Sequence, residues 1–287
     1  MRERIGVVGL GRMGWALAER FAGQGCEVVG WTRSGFESSK AEESGFAPSE
    51  TLGELVSSSD IVFLSLFDEI AVRDVLGQLA VLDLERKLIV ETSTVSPNVC
   101  RQLESSINAA GGALIDAPIS GGPEMVRSGD MGLFIGGSDV DVARFMPVAE
   151  LGSNRIAHVG PLGAGAAMKI VNNVALAGAF QAACEALELG DAMGLDLATM
   201  LPVLAAGPGT TPMFKARVGK ISGEDKEVGF ALNGVVKDGA VFLGAARDHG
   251  VETPAMAALA ERAQDAFDAG FGDEDAAVMI RHRLGLT

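Results

Sequence analysis

No tyrosine occurs anywhere in the 287 residues, and tryptophan only twice. A catalytic tyrosine, of the kind short-chain dehydrogenases use, is therefore excluded. Cysteine is nearly absent as well. Cys26, Cys100 and Cys184 are odd in number, far apart, and form no C-x-x-C pair. They fit small apolar fillers in a reducing compartment, not a disulfide framework or a zinc site. His158, His249 and His282 are just as scattered, so no metal-ligand spacing exists and no metal is expected. Basic residues are outnumbered, 23 against 38 acidic ones, which gives a formal net charge of −15. That balance argues against nucleic acid and anionic membranes as partners. The N-terminus lacks a signal-type apolar region and no apolar run is read as a membrane span, so a cytoplasmic location is expected.

What is present describes a well-packed globular chain. Hydrophobic residues make up 48% and charged ones only 21%, and the length suffices for two domains with separate cores. Residues 4–10 read as a short buried strand. They run into Gly9-Leu10-Gly11-Arg12-Met13-Gly14 and then an amphipathic helix from Trp15 to about Gln24. G-x-G-x-x-G between a strand and a helix is the dinucleotide fingerprint. Its first glycine makes the turn, the second admits the pyrophosphate to the backbone, and the third lets helix and strand pack closely. The helix N-terminus then offers free N–H groups to the phosphates. The second strand, Glu27 to Trp31, ends at Thr32-Arg33-Ser34. An NAD site would place an acid here for the ribose 2′-hydroxyl, and none stands here. Arg33 and Ser34 instead offer a charge and a hydroxyl to a 2′-phosphate, so NADP is expected in preference to NAD.

Strands over 60–66 and 87–91 alternate with a helix over 70–82, the pattern of parallel βαβ units. Ligands bind beyond the C-terminal ends of such strands, which brings Leu66, Phe67 and Thr94 to the expected edge. Thr94 reads equally well as a local cap for the turn at Val95-Ser96-Pro97. In Asp116-Ala117-Pro118-Ile119-Ser120-Gly121-Gly122 a strand is expected to break at Pro118. The Ser-Gly-Gly turn has two readings, a tight connection or a backbone nest for a carboxylate. Strands over 131–137 and 155–159 close this domain.

Glycines at 160, 163 and 165 then give way to an apolar helical run reaching about Met193. Lys169 and Asn173 lie four residues apart and share one face of it. Either they reach solvent and a neighbouring backbone, or something polar binds between them. Beyond Gly165 no strand alternation remains, and breaks are expected at 207–208, 219–223 and Pro254. Spacings of seven and eight residues place Phe230, Lys237 and Asp238 on one helical face, where the charged pair could equally be an ordinary solvated one.

Four motifs in order, Gly9 to Gly14, Asp116 to Gly122, Gly163 to Asn173, and Lys237-Asp238, make the chain resemble the β-hydroxyacid dehydrogenase family. That family includes 3-hydroxyisobutyrate dehydrogenases and glyoxylate/succinic semialdehyde reductases, and the resemblance covers nearly the whole chain. It implies an α/β fold, with a Rossmann-type doubly wound parallel sheet over 1–161. An all-helical substrate and dimerisation domain would follow over 162–287, joined by a long interdomain helix with the site in the cleft. It further implies that Lys169 is catalytic, and that Ser120, Gly121, Gly122 and Asn173 hold the substrate carboxylate and hydroxyl. Thr94 and Lys237 would touch the cofactor, Thr94 would touch the substrate as well, and Phe230 and Asp238 would line the substrate site. Trp31-Thr32-Arg33-Ser34 is similar to the corresponding Trp-Asn-Arg-Thr of the NADP-dependent glyoxylate reductase branch, departing from it at Thr32. Hydride transfer to or from a carbinol carbon needs a group for the hydroxyl proton, and no motif holds a histidine or tyrosine. Lys169 is the suitable group, since burial in general lowers a lysine's pKa. The expected activity is an NADP-linked oxidoreductase of the EC 1.1.1 type acting on a small carboxylate-bearing β-hydroxyacid or aldehyde acid, as a homodimer or homotetramer. An imine reductase of the same fold and a non-catalytic dinucleotide-binding assembly module stand as alternatives.

Overall fold

The computed structural model describes residues 3–287. They divide into two compact units, one ending at Lys169 and the other spanning Ile170–Thr287. The first unit opens with β1 (Ile5–Val8), α1 (Arg12–Gly23), β2 (Val28–Trp31), α2 (Ser38–Glu43), β3 (Ala47–Pro48) and α3 (Leu52–Ser58). Next come β4 (Ile61–Leu64), α4 (Glu69–Leu79), β5 (Leu88–Glu91), α5 (Asn98–Ala109) and β6 (Ala113–Asp116). The unit closes with β7 (Ile119–Ser120), α6 (Pro123–Ser128), β8 (Gly132–Gly136), α7 (Asp139–Gly152) and β9 (Arg155–Gly160).

Six strands pair in parallel in the order β3-β2-β1-β4-β5-β6, the doubly wound arrangement. Successive strand residues feed opposite faces. Ile5, Val7, Ile61, Phe63, Leu88 and Val90 enter one core with α1 and α7, and Val8, Val62, Leu64 and Ile89 enter another with α3, α4 and α5. Helix α1 starts at Arg12, three residues ahead of the expected Trp15, so the glycine loop passes straight into it. Helices α2, α3, α6 and α7 and strand β3 go beyond the sequence-based expectation.

The break expected at Pro118 is only a gap in one strand. A single antiparallel register runs through β6 and β7 against β8, with Asp116 opposite Gly136, Ile119 opposite Leu133 and Ser120 opposite Gly132. Pro118 lacks the ladder donor, and pairing resumes beyond it. Strand β9 then joins β8 in parallel.

Helix α8 (Ala164–Ala192) begins in the first unit and continues into the second. By length and composition alone it could cross a membrane, a test that the core helix of a globular protein also passes. Its Ile170, Ala177, Phe180, Cys184 and Leu187 are core residues of the second unit, at spacings of three, four and seven. That unit adds α9 (Leu197–Ala206), α10 (Pro212–Lys215), α11 (Val218–Ser222), α12 (Leu232–Asp248), α13 (Pro254–Asp268) and α14 (Val278–Arg283). Gly219 lies inside α11, and Pro254 opens α13 at a first-turn position where proline suits a helix. Phe230 is not on the helix that carries Lys237 and Asp238, contrary to its spacing. Extended backbone just before α12 pairs with a second segment instead, through Leu232 N to Glu274 O at 2.8 Å and Ala276 N to Phe230 O at 2.9 Å.

Candidate active site

The glycine loop is built by close approach. A Cβ on Gly14 would sit 1.8 Å from Gly9 O, and one on Gly9, whose φ is +92°, would sit 2.3 Å from Ser65 O. Gly11 has open space where its Cβ would be, so this is where a ligand's phosphates can reach the backbone. It precedes α1, which has no side-chain cap and no acid in its first turn. Those first-turn N–H groups suit the pyrophosphate of a dinucleotide.

The parallel strands bring the other expected cofactor residues to the same edge. Leu66 and Phe67 follow β4, Arg33 and Ser34 follow β2, and Thr94 follows β5. The loops there are tied together, because Leu66 N donates to Ser93 Oγ at 2.9 Å and Thr92 Oγ1 donates to Leu64 O at 2.6 Å. Phe67 is 57% exposed. The Arg33 side chain is 84% exposed, with Asp74 Oδ2 at 3.8 Å. Lys237, the remaining cofactor candidate, lies in the second unit, where its Nζ is 2.5 Å from Asp238 Oδ1.

The Asp116–Gly122 and Gly163–Asn173 motifs are joined at two points. At one end the Asp116 carboxylate accepts from Gly163 N and Ala166 N, both at 2.6 Å, and so caps α8. At the other, buried Lys169 donates from Nζ to Ile119 O at 2.5 Å, next to Ser120. Gly121, with φ +133°, and Gly122 follow, and Gly122 precedes α6. The amine therefore stands beside the Ser-Gly-Gly turn and does not reach out to solvent. Sequence reasoning gave Asp116 no role. The available signal was a helix start, Gly163-Ala164-Gly165, with no capping side chain of its own. Glycine is needed on both sides of this contact, since a Cβ on Gly136 would lie 2.4 Å from Asp116 Oδ1 and one on Gly165 2.2 Å from Phe134 O.

In the second unit Asn173, Phe230 and Asp238 line one cavity of about 100 Å³. Asp238 is buried, which removes the solvated-pair reading of Lys237-Asp238. Arg217 lines the same cavity and was not anticipated, because nothing in the periodicity around it marks a site. Asn173 stands one turn beyond Lys169 on α8. Burial pushes the Cys184 thiol up to about 12 and Cys100 well above its usual value, which keeps both from competing for the chemistry. Among the described residues no group of three potential metal ligands occurs.

Residues 4–160 match the family described as the NAD binding domain of 6-phosphogluconate dehydrogenase. Residues 163–283 match that described as the NAD-binding of NADP-dependent 3-hydroxyisobutyrate dehydrogenase. The chain is 30% identical to the 2-(hydroxymethyl)glutarate dehydrogenase of Eubacterium barkeri, over 97% of its own length and 94% of that protein's. It is 26% identical to glyoxylate/succinic semialdehyde reductase 1 of Arabidopsis thaliana, over 96% of each. The solved structure of Mycobacterium tuberculosis 3-hydroxyisobutyrate dehydrogenase with L-serine superposes with a TM-score of 0.86 at 26% identity, covering 98% of this chain and 99% of that one.

Asp116 gives the site a pH signature. Burial raises its carboxyl from 3.8 to about 6, against the Ala166 and Gly163 N–H donors and the Arg101 charge that pull it down. The folded chain thus keeps a proton that the unfolded chain has released. Stability from this group is fully present below the unfolded pKa and is lost as pH rises through about 6. Asp116→Asn cannot titrate. The stability of wild type relative to this variant should fall by roughly 2 to 3 kcal/mol between pH 4 and pH 7. Urea unfolding of both proteins across that range checks it, and parallel pH profiles would contradict it.

Proposed function

The chain belongs to the β-hydroxyacid dehydrogenase family of dinucleotide-dependent oxidoreductases, and we propose that it moves a hydride between NADP(H) and a small β-hydroxyacid or its aldehyde acid. Substrates of the 3-hydroxyisobutyrate, glyoxylate or succinic semialdehyde type fit this reading. The observation that carries it is the buried Lys169 amine held against Ile119 O, one residue from Ser120. The nicotinamide, when bound, accepts or returns the hydride. Lys169 takes the hydroxyl proton in oxidation and returns it in reduction. Its bond to the Ile119 carbonyl fixes the amine's direction. Ser120 and the N–H groups of Gly121 and Gly122 hold the substrate carboxylate, and Asn173 holds the hydroxyl side. An imine reductase would have no use for a carboxylate-binding Ser-Gly-Gly turn beside a buried lysine, nor would a non-catalytic module.

NADP preference rests on Arg33. The guanidinium is exposed after β2, and no acid stands where NAD-binding chains place one. Arg33→Asp should weaken NADPH binding by about 1 to 3 kcal/mol, the scale of a charge-assisted contact, in parallel titrations with both cofactors. Equal binding of NADH and NADPH by wild type would overturn the preference.

Assembly is proposed as a homodimer or homotetramer in the cytoplasm. Val171, Leu189 and Met193 on or just past α8 and Val203 on α9 are between 62% and 71% exposed. A second copy would remove this apolar surface from water. Light scattering at micromolar concentration should give a multiple of 29.6 kDa, and a monomer would refute it.

Lys169→Ala should lower kcat by about a hundred- to ten-thousand-fold, the usual worth of general acid–base catalysis. Binding of NADPH should barely change, because the glycine loop and Arg33 lie elsewhere. Alcohol oxidation needs the neutral amine and should rise with pH as Lys169 loses its proton, and aldehyde reduction should fall over the same range. Near-normal turnover by the variant would make Lys169 a structural residue.

A further inference from the structure

Arg33 does not stand alone at the end of β2. Its Nη1 lies 3.8 Å from Asp74 Oδ2, and among the described residues no other acid forms an ion pair with it. Both groups belong to the first unit. Strand β1 lies between β2 and β4, so the ends of those two strands are about 10 Å apart with the glycine loop between them. Arg33 stands two residues past β2, and Asp74 sits in the middle of α4, the helix that follows β4. The ion pair therefore joins the two sides of the crevice into which a doubly wound sheet takes a dinucleotide.

The neighbours of Asp74 leave its charge to Arg33. Arg73 is committed elsewhere, since its Nε and Nη2 donate to Glu69 Oε1 at 2.9 Å and 2.7 Å and its Nη1 donates to Gln102 Oε1 at 2.8 Å. Gln78 Nε2 donates to Asp74 Oδ2 at 3.1 Å, which orients the carboxylate without neutralising it. Nor does Asp74 cap α4. Asp68 fills that place by accepting from Ala71 N at 2.8 Å.

The pair is also easily exchanged. Its side chains are 84% and 48% exposed, and a single long contact in water adds little to the fold. A phosphate offers the guanidinium two parallel charge-assisted bonds and is the stronger partner. A cofactor carrying a 2′-phosphate must draw Arg33 away from Asp74 and leave that carboxylate unpaired. A cofactor without one leaves the pair as it stands.

We propose that Asp74 is a specificity-determining residue that competes with the 2′-phosphate for Arg33, so that it weakens NADPH binding and leaves NADH binding untouched. This rests on the reading above that Arg33 meets the 2′-phosphate.

Calorimetric titration of NADPH and NADH into wild type and Asp74→Asn tests it. Asparagine keeps the size of the side chain and an acceptor for Gln78, and removes the charge. The variant should bind NADPH about two- to fivefold more tightly, the ratio to which the usual worth of an exposed ion pair converts, with NADH unchanged. The gain should shrink as salt is raised from about 0.05 to about 0.5 M. It should also vanish in an Arg33→Met background, where there is nothing to compete for. Unchanged or weaker NADPH binding by Asp74→Asn would overturn the proposal. So would an equal gain for both cofactors, or a full gain without Arg33. Equal binding of both cofactors by wild type, with NADPH alone gained by Asp74→Asn, upholds the competition while overturning the native preference for NADP. A wild-type preference for NADPH that the variant leaves unaltered does the reverse, and binding of neither dinucleotide to either protein overturns both.

Discussion

The contact on which the site depends is the buried Asp116 carboxylate at the start of α8. A carboxylate without water is costly, and here two short N–H bonds and the positive end of a 29-residue helix offset only part of that cost, so the pKa stays raised. The arrangement fixes where α8 begins. Lys169 lies three residues beyond Ala166, less than one turn away, so fixing the helix start fixes the height at which its amine meets Ile119. Both partners of these two bonds lie on one interrupted strand, whose register is set by β8. Movement of that strand would shift the cap and the lysine's partner together, which keeps the amine and the Ser-Gly-Gly turn in step.

Close approach is what this design requires of the backbone, and glycine supplies it. Gly136 and Gly165 let strand and helix meet around Asp116, as Gly9 and Gly14 let β1 meet α1. In the sequence Gly9 reads as a turn residue, Gly165 as part of a domain boundary and Gly136 as an ordinary strand position, while Gly14 alone is read as a packing glycine. Their actual role is the removal of side chains where two backbones touch. Gly11 differs, since open space rather than another backbone lies above it. Stability accounts for the first group and a ligand for the last.

Most of the parallel sheet was legible because its strands are short apolar runs buried on both faces and bounded by turns. Helices α2 and α3 were not, because six or seven mostly small or charged residues carry no readable period. Strand β7 was hidden by Pro118, whose missing donor interrupts the ladder without ending the register. Phe230 shows the limit of spacing arguments. Counting by helical turns assumed one helix, yet pairing with 274–276 holds the chain extended up to Ala231. Phe230 and Asp238 still share a cavity, but tertiary folding brings them there, not periodicity. Lys169 was legible from residue type and its place on an apolar helix face, even though its partner Ile119 lies 50 residues away. Asp116 and Arg217 carried no such local mark, and only their distant partners, at 163–166 and at 275, show their roles.

A chain of net charge −15 that binds an anionic cofactor and an anionic substrate must overcome its own field. Magnitudes decide how. A unit charge 10 Å away across water opposes an anion by about 0.4 kcal/mol, and salt screens it further at that range. A charge-assisted hydrogen bond inside a site is worth about 1.5–3 kcal/mol. A handful of local donors therefore outweighs a diffuse excess of surface carboxylates. The few cations near the expected ligands, Arg33 and Lys169, can carry that recognition alongside the backbone N–H groups at Gly11–Gly14 and Gly121–Gly122.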